Sequence, residues 1–188
     1  MKKLLILAVL VTGIFFFGCS DLVTNNSSQP VSSGKQFVKL PSKAGLSKES
    51  SLSTSESVNG SRGDVIFLRG TYTTENGDQV SMFANLMIPR GAFEGTVDIS
   101  MSADDEYAGV DFAPHMTFNK PLTLTLAFSG LNLKELGITR ENAGFYFVDE
   151  SGNLVEVPNR GISLNYQTGT IMVIGAKIDH FSRYAFAK

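Results

Sequence analysis

The sequence has few of the residues that most often carry the chemistry of a functional site. Among its 188 residues there are one cysteine, two histidines and no tryptophan. A single cysteine has no disulfide partner within the chain, so the fold must rest on its core alone. With only two histidines, a zinc site would need carboxylates to complete it. We therefore expect neither a metal nor a cofactor.

Charged residues are also scarce, and the balance between them is slightly acidic. They make up 18% of the chain, and without Lys2 and Lys3 there remain 14 basic and 18 acidic residues, a net charge of −4. A chain with this charge lacks the basic surface that binds nucleic acid or anionic lipid. The apolar fraction of 43% and the 18 glycines favour one all-β domain outside the cytoplasm.

The N-terminus lacks an apolar run long enough to span a membrane. Two lysines precede a run from Leu4 to Phe17, and these 14 residues fall short of the roughly 20 that a spanning helix needs. A basic start, a short apolar run and then a small residue are typical of a signal peptide. We assign the signal peptide to residues 1–18, directly before Cys19.

The residues Phe16-Phe17-Gly18-Cys19 resemble the lipobox of bacterial lipoproteins, which reads approximately Leu-Ala/Ser-Gly/Ala-Cys. The Gly-Cys pair fits this pattern, whereas the two phenylalanines depart from it. The resemblance implies cleavage before Cys19 and its acylation by fatty acids such as palmitate, and two or three acyl chains anchor a protein stably. Ser20 in place of aspartate implies the outer membrane. The alternative is a secreted protein with a buried thiol.

Residues 19–63 have the composition of a flexible, disordered tether that starts at the acylated cysteine. Serine supplies 13 of the 44 residues from Ser20 to Gly63, which is too polar for a packed core. The stretch KQFVKLP is an exception because it contains three apolar residues. It either remains part of the tether, docks on the domain or binds a partner. Its apolar residues are Phe37, Val38 and Leu40.

The tripeptide Arg62-Gly63-Asp64 at the end of this segment matches the RGD motif of integrin-binding proteins. Such proteins display the motif on exposed loops, and its position between the tether and the domain is compatible with exposure. Three-residue matches also arise by chance, and adhesion requires display on the outside of the cell. We keep these three residues as a possible adhesion motif.

From residue 64 to 188 the sequence predicts an antiparallel β-sandwich. Its clearest strand is PLTLTLAFSG, in which Leu122, Leu124, Leu126 and Phe128 share one face. Strands about ten residues apart, with turns between them, are typical of a sandwich. The turns are expected at 75–77, 149–153 and 167–169, and LNLKELGI is the one stretch with a short helical or turn-like pattern.

Three stretches of this domain resemble the ZU5-type β-sandwich of netrin receptors, ankyrins and many bacterial surface lipoproteins. LMIPRGAFEGTVDISM is similar to its strand–turn–strand segment, and FAPHMTFNKPLTLTLAF to its Pro-His-Gly-Leu-x-Phe-x-Lys-Pro segment. The matched residues of the second segment are Pro114, His115, Phe118, Lys120 and Pro121. YFVDESGNLVEVP followed by IDHFSRYAFA resembles the final hairpin and closing strand. The resemblance implies an Ig-like fold for binding and scaffolding, with no catalytic residues to carry over.

His180 and Ser182 come closest to a catalytic pair. On a regular strand they would share one face roughly 6.5 Å apart, which is too far for a hydrogen bond between a nucleophile and its base. No nucleophile elbow accompanies them. We interpret them as part of a closing strand, and the resemblance to the ZU5-type sandwich implies that His115 lies in a structural turn. The apolar residues expected to face inward are Ile178, Phe181, Tyr184 and Phe186.

The acidic run Asp104-Asp105-Glu106 is followed by Tyr107. Its carboxylates could gather oxygen ligands for calcium, but the run lacks the alternating Asp/Asn-Gly spacing of a dedicated calcium loop. A solvated loop is the main expectation. Tyr107 is the tyrosine that we most expect to be exposed, where it could contact a glycan. These four residues form a possible ligand or calcium loop.

Together these observations predict a non-enzymatic lipoprotein of the bacterial cell envelope. Acylated Cys19 is expected to anchor the chain in the outer membrane, and the sandwich to bind an unknown protein or glycan or to act as a structural module. One alternative is a glycan-binding accessory protein or weak envelope hydrolase. Another is a surface adhesin that uses Arg62-Gly63-Asp64.

Overall fold

The computed structural model describes residues 34–44, 52–149 and 151–188. Cys19, the predicted signal peptide and the first part of the predicted tether lie outside these residues. The described chain forms eleven strands and no helix, and residues 131–138 form a series of turns. In chain order the strands are β1 (Ser53–Asn59), β2 (Asp64–Thr73), β3 (Gln79–Ile88), β4 (Thr96–Ala103), β5 (Gly109–Ala113), β6 (Thr117–Ser129), β7 (Gly144–Val148), β8 (Leu154–Glu156), β9 (Gly161–Asn165), β10 (Thr170–His180) and β11 (Arg183–Ala187).

The strands form two antiparallel sheets that pack together, which confirms the predicted all-β sandwich. One sheet has six strands in the order β1-β4-β5-β11-β7-β8, and the other has five in the order β2-β3-β6-β10-β9. The chain changes sheet six times: between β1 and β2, β3 and β4, β5 and β6, β6 and β7, β8 and β9, and β10 and β11. Each sheet contributes one face to a shared apolar core.

Strand β6 lies at the centre of the five-stranded sheet and shows why the alternating pattern was a reliable signal. Leu122, Leu124, Leu126 and Phe128 are all buried, as predicted. The strand pairs with β3 on one side and β10 on the other, so its inward face meets apolar residues from both neighbours. These neighbours are Val80, Met82, Ala84, Leu86 and Ile88 from β3, and Ile171, Val173, Ala176 and Ile178 from β10.

The three predicted turns all lie between paired strands. The turn from β2 to β3 is closed by the N–H of Thr74, which donates to the carbonyl of Asp78 at 2.7 Å, and Gly77 has a φ of +87°. In the β7–β8 hairpin, Asp149 Oδ1 accepts the N–H of Asn153 at 2.8 Å. Side chains that bond their own backbone, and glycines that accept positive φ, explain why these residues mark turns in the sequence.

Residues 35–44 dock on the sandwich, although they fall within the predicted tether. We call these residues the strap. Phe37, Val38 and Leu40 are buried, so the docking alternative for KQFVKLP is confirmed. The prediction that the whole of residues 19–63 is a tether is corrected accordingly, because three apolar side chains are enough to fix this segment on the domain.

The strap forms backbone hydrogen bonds with both sheets. The N–H of Val38 donates to the carbonyl of Phe186 at 2.9 Å, and the carbonyl of Val38 accepts the N–H of Ala108 at 2.8 Å. These bonds insert the strap between the end of β11 and the residues that precede β5. Further along, the N–H of Ala44 donates to the carbonyl of Thr73 at 2.9 Å, at the end of β2. The strap therefore connects the two sheets at one end of the sandwich.

Phe37 of the strap completes a second apolar cluster on the outer face of the six-stranded sheet. In β11, Tyr184 and Phe186 face the shared core, whereas the alternate residues Ala185 and Ala187 face this outer cluster. The members of the cluster are Phe37, Tyr107, Tyr146, Leu154, Ala185 and Ala187. The six-stranded sheet therefore buries apolar side chains on both of its faces.

Strand β1 is a second part of the predicted tether that belongs to the sandwich. It pairs with β4 along its whole length, and Val58 is fully buried. Its remaining side chains are exposed or half-buried, because the strand lies at the edge of its sheet. The predicted domain boundary at residue 64 is therefore corrected: backbone pairing holds this strand in place, and a serine-rich composition does not reveal such pairing.

The chain crosses from the five-stranded sheet to the six-stranded sheet at Phe181 and Ser182. The four residues predicted to face inward around this crossing are buried, and the Phe181 ring lies 5.0 Å from the ring of Phe112 in a stacked arrangement. Aromatic residues thus fill the space where the chain changes direction. This arrangement is the predicted closing strand, with the crossing as an additional feature.

Candidate functional site

The loop between β4 and β5 carries the acidic run and is organised by Asp104. This residue is 6% exposed, and its Oδ1 accepts the N–H groups of Glu106 at 2.8 Å and Tyr107 at 2.9 Å. Its Oδ2 lies 3.2 Å from Nε of Arg183. That contact is an ion pair without hydrogen-bond geometry, because the same N–H is directed to Asp111. Asp104 therefore positions the loop backbone.

The other two carboxylates of the run each face a lysine of the strap. Lys43 Nζ lies 2.8 Å from Asp105 Oδ1, and Lys39 Nζ lies 3.6 Å from Glu106 Oε1. Within the described ranges, no group of three or more acidic, histidine or cysteine side chains is arranged to hold a metal ion. The geometry of the loop is thus one of paired charges between the loop and the strap.

Arg183 connects this loop to strand β5 through Asp111. Its Nε donates to Asp111 Oδ1 at 3.0 Å. Burial raises the pKa of the Asp111 carboxyl above its ordinary value, and the Arg183 guanidinium opposes that shift. Burial also disfavours the charged form of Arg183, but the hydrogen bond and charge of Asp111 raise its pKa above the ordinary value. The guanidinium therefore remains charged beside the acidic loop.

Tyr107 is 8% exposed, so the prediction of an exposed tyrosine at this position is wrong. Its ring centroid lies 5.4 Å from that of Phe37 in the strap. The covering residue comes from a distant part of the chain, which the local pattern around Tyr107 could not reveal. A buried ring of this kind does not offer a platform for a glycan.

The tripeptide Arg62-Gly63-Asp64 covers the end of the short connection from β1 to β2 and the first residue of β2. Arg62 and Asp64 are exposed, as a displayed loop requires. The N–H groups of Arg62 and Gly63 both donate to the carbonyl of Asn59, at 3.0 and 3.1 Å. Gly63 has a φ of +72°, and a Cβ there would come within 2.5 Å of the carbonyl oxygen of Ile88. The turn itself therefore requires a glycine at the centre of the tripeptide.

His180 ends β10, and its ring packs against aromatic residues. The ring centroid lies 4.7 Å from that of Phe147 and 6.1 Å from that of Tyr184. The Tyr184 hydroxyl donates to the backbone carbonyl of His180 at 2.6 Å, and burial raises the pKa of this phenol above its ordinary value. No hydrogen bond joins the side chains of His180 and Ser182, both of which the structure describes. The pair has the geometry of a packed strand end.

His115 lies in the turn before β6, directly after a cis peptide bond between Ala113 and Pro114. Its Nδ1 lies within hydrogen-bond distance of the carbonyl oxygen of Phe181, at 3.2 Å. This contact joins the turn to the point where the chain crosses between the sheets. The side chain thus occupies the structural turn that the sequence predicted.

The outer face of the five-stranded sheet exposes apolar side chains that the sequence analysis did not single out. We call Val65, Phe67, Arg69, Phe83 and Met87 the open face. Phe67 and Met87 are each 47% exposed, and the Arg69 guanidinium lies 5.9 and 5.0 Å from the ring centroids of Phe67 and Phe83. Cross-strand pairing places Val65 opposite Met87 and Arg69 opposite Phe83. The open face is therefore a largely apolar and aromatic surface with one cation, and Asn85 lies opposite Phe67 within it.

The sequence contained a signal for this surface in the run Val65-Ile66-Phe67-Leu68. Four consecutive apolar residues in a strand place two side chains on each face of the sheet. Ile66 and Leu68 are buried in the core, so Val65 and Phe67 are left on the outside. A run without alternation at the edge of a sheet thus indicates an exposed apolar surface.

A cleft of about 640 Å³ opens where the strap, the start of β1 and the end of β2 meet. Its apolar lining is formed by core residues and by the half-buried Leu52, and its polar lining includes Lys43, Thr71 and Thr73. Lys43 is already paired with Asp105, and its Nζ lies 5.6 Å from the ring centroid of Tyr72. The apolar lining residues are Leu40, Leu52, Met82 and Phe128. The cleft thus reaches the shared core, and the Lys43 ammonium group that lines it is paired with Asp105.

No protein-family model matches this chain, and neither a curated protein nor a solved structure is similar to it. The resemblance to the ZU5-type sandwich therefore stays a prediction beyond the sandwich architecture itself. Among the described residues there is no helix with the length and apolar character that a membrane span requires. Cys19, the predicted site of acylation, lies outside the described residues.

Proposed function

We propose that this protein is a non-enzymatic lipoprotein of the bacterial cell envelope, anchored in the outer membrane through acylated Cys19. The position of its only cysteine carries the proposal. Cys19 follows Gly18 and an apolar run of 14 residues, which is the arrangement that lipoprotein processing uses. Two or three acyl chains on one residue provide stable attachment to a bilayer.

In this proposal the strap determines how far the domain can lie from the membrane. The strap begins at Lys35, and the 15 residues from Ser20 to Gly34 lie between it and Cys19 in the sequence. At full extension they reach at most about 50 Å. A segment ending at residue 63 would reach about three times as far. The sandwich is therefore held close to the membrane surface.

The surface best suited to contact another molecule is the open face. It is the largest group of exposed apolar side chains that lie together in the described part of the chain, since Phe67, Met87 and Val65 occupy neighbouring positions on β2 and β3. Contiguous apolar surfaces of this kind are typical of interaction sites. We propose that the sandwich acts through this face as a protein- or glycan-binding or structural module of the envelope.

Membrane fractionation of cells that express the wild type, Cys19→Ala and Ser20→Ala, with metabolic labelling by a fatty-acid analogue, tests the anchor. The wild type and Ser20→Ala should carry label and sediment with membranes, whereas Cys19→Ala should lose the label and become extractable without detergent. If Cys19→Ala stays as firmly in the membrane fraction as the wild type, the anchor is wrong.

Adhesion through Arg62-Gly63-Asp64 is a second candidate because Arg62 and Asp64 are exposed. Protease treatment of intact cells shows first whether the domain faces outward, which adhesion requires. Asp64→Glu keeps the charge while lengthening the side chain, so it should abolish binding to purified integrin if the motif acts in adhesion. Equal binding of Asp64→Glu and wild type, or a domain protected from protease until the envelope is opened, contradicts this function.

A further inference from the structure

We propose that the exposed edge of β2 pairs with β2 of a second copy of this chain, so that two five-stranded sheets join into one continuous sheet. β2 is the first strand in its sheet and pairs with β3 alone among the described strands. An edge strand presents a row of backbone N–H and C=O groups that another strand can pair with. The inference does not depend on the lipid anchor.

The strap shows which backbone groups of β2 point outward from the sheet. Its Ala44 donates to the carbonyl of Thr73 at 2.9 Å, on the side of β2 away from β3. In an antiparallel strand, alternate residues direct their N–H and C=O to the same side. Thr71, Arg69, Phe67 and Val65 therefore direct theirs to the open edge.

Few of the features that normally protect an edge strand are found in β2. Protected edges are short, charged, bulged or interrupted by proline. β2 has ten residues in unbroken register with β3 and contains no proline. Its one charge between Val65 and Thr73 is Arg69, and that guanidinium lies over the rings of Phe67 and Phe83. In contrast, the other edge strands are shorter: β1 has seven residues, β9 has five and β8 has three.

The sequence of the edge is complementary to itself in one antiparallel register. With a two-fold axis at Leu68, Phe67 lies opposite the partner's Arg69, and Val65 lies opposite the partner's Thr71. The four outward-directed residues of each copy then face one another and can form about eight backbone hydrogen bonds. Each phenylalanine gains a cation across the strand pair, and no like charges oppose each other.

This self-complementarity favours a second copy of the chain as the partner that pairs with the edge of β2. A two-fold interface uses the same surface on both partners and closes after two subunits. The pairing brings the two open faces side by side on one sheet, which doubles the exposed apolar surface. In the lipid-anchored protein it also brings two acylated cysteines to one membrane, which strengthens attachment through multivalency.

Sedimentation equilibrium on the chain from Ser20 to Lys188, which retains every described residue, tests the proposal. We expect a monomer–dimer equilibrium. Phe67→Lys should weaken the affinity of dimerisation about tenfold, since each of the two lysines in the symmetric pair then lies opposite the partner's Arg69. Phe67→Glu should keep the affinity within about threefold, because opposite charges then face each other. The double variant Phe67→Lys with Arg69→Glu should recover the dimer lost in Phe67→Lys.

Met87→Lys is the matched control because Met87 has the same exposure as Phe67 on the same face but lies on β3, away from the edge. It should leave the dimer unchanged. Thr71→Pro removes one outward N–H without touching Phe67, and it should also weaken the dimer. Thermal unfolding of each variant verifies that it is folded.

Three outcomes overturn the proposal. One is a wild-type chain that stays monomeric at millimolar concentration, because the edge of β2 then does not pair with a second copy. The second is a dimer that Phe67→Lys and Thr71→Pro do not weaken. The third is a dimer that Met87→Lys weakens as much as Phe67→Lys does, which indicates packing through the open face instead of pairing at the edge.

Discussion

The two sheets of the sandwich share one core, but they differ in how far the apolar side chains on their outer faces are buried. The six-stranded sheet buries a second apolar cluster under the strap, in which Phe37 is 6% exposed. The five-stranded sheet leaves Phe67 and Met87 each 47% exposed on its outer face, and among the described strands β2 pairs only with β3. The difference shows that one docked segment can complete one sheet of a small domain while the other sheet keeps a surface available for contact.

The comparison is sharpest for two phenylalanines on the outer faces of opposite sheets, because Phe37 of the strap is 6% exposed and Phe67 of β2 is 47% exposed. Phe37→Ala should lower the free energy of unfolding by about 3 kcal/mol, because it removes a buried ring and leaves a cavity. Phe67→Ala should change it by less than about 0.5 kcal/mol, because the ring is already half in solvent. Urea unfolding of dilute protein, monitored by circular dichroism, gives both values.

Equal effects of the two substitutions would contradict the difference between the two outer faces. Phe37→Leu serves as the control for Phe37→Ala, since a leucine keeps most of the apolar contact. It should recover about half of the lost stability. A small effect of Phe37→Ala alone would mean that the strap is held by its backbone bonds and by Val38.

Asp104 tests how the acidic loop supports the strap on the six-stranded sheet. Asp104→Ala should cost about 2 kcal/mol, because the N–H groups of Glu106 and Tyr107 lose their acceptor in a buried position. Asp104→Asn keeps an acceptor oxygen and should cost less than half as much, although Arg183 then loses part of its charge partner. Thermal unfolding at neutral pH distinguishes the two variants, and equal losses would assign the effect to charge alone.

Tyr72 tests the contact of the strap with the five-stranded sheet through pH dependence. Its hydroxyl donates to the carbonyl of Pro41 at 3.0 Å, and burial raises its pKa to about 12. The folded state therefore favours the protonated phenol, so this stabilisation is complete below a pH of about 10 and is lost as the pH rises to about 12.

Tyr72→Phe cannot ionise at this position and should show a smaller loss of stability between these pH values. We expect this effect to be smaller than those of Phe37→Ala and Asp104→Ala. Melting temperatures measured at several alkaline pH values detect it. Since Tyr184 titrates in both proteins, its contribution cancels in the comparison. Parallel curves for the wild type and Tyr72→Phe would show that the strap contact does not shift this titration.

Much of the sandwich could be predicted from local pattern. The alternation from Leu122 to Phe128 identified the central strand because a half-buried strand repeats every two residues. Asp149 identified a turn because its side chain accepts a backbone N–H, and Gly77 identified a turn because glycine readily adopts a positive φ. The inward residues around Phe181 were also predicted, although the crossing between sheets at that point was not.

The parts that could not be predicted depend on contacts between distant residues. β1 reads as a tether because its backbone pairing with β4 leaves serines exposed, and Val58 is its one fully buried side chain. Tyr107 was expected to be exposed because the residue that covers it, Phe37, comes from the strap. The open face was missed for the opposite reason: Phe67 reads as a core residue until the sheet edge is known.

Amide hydrogen exchange in dilute solution, measured residue by residue by NMR, tests most directly whether the strap completes one sheet while β2 leaves the other open. The account predicts slow exchange for Val38 and Leu40, whose N–H groups donate to the carbonyls of Phe186 at 2.9 Å and Glu106 at 2.8 Å. Phe67 and Arg69 should exchange rapidly because their N–H groups point to the open edge. Rapid exchange at Val38 and Leu40, or protection of Phe67 and Arg69 in the monomer, would contradict the account.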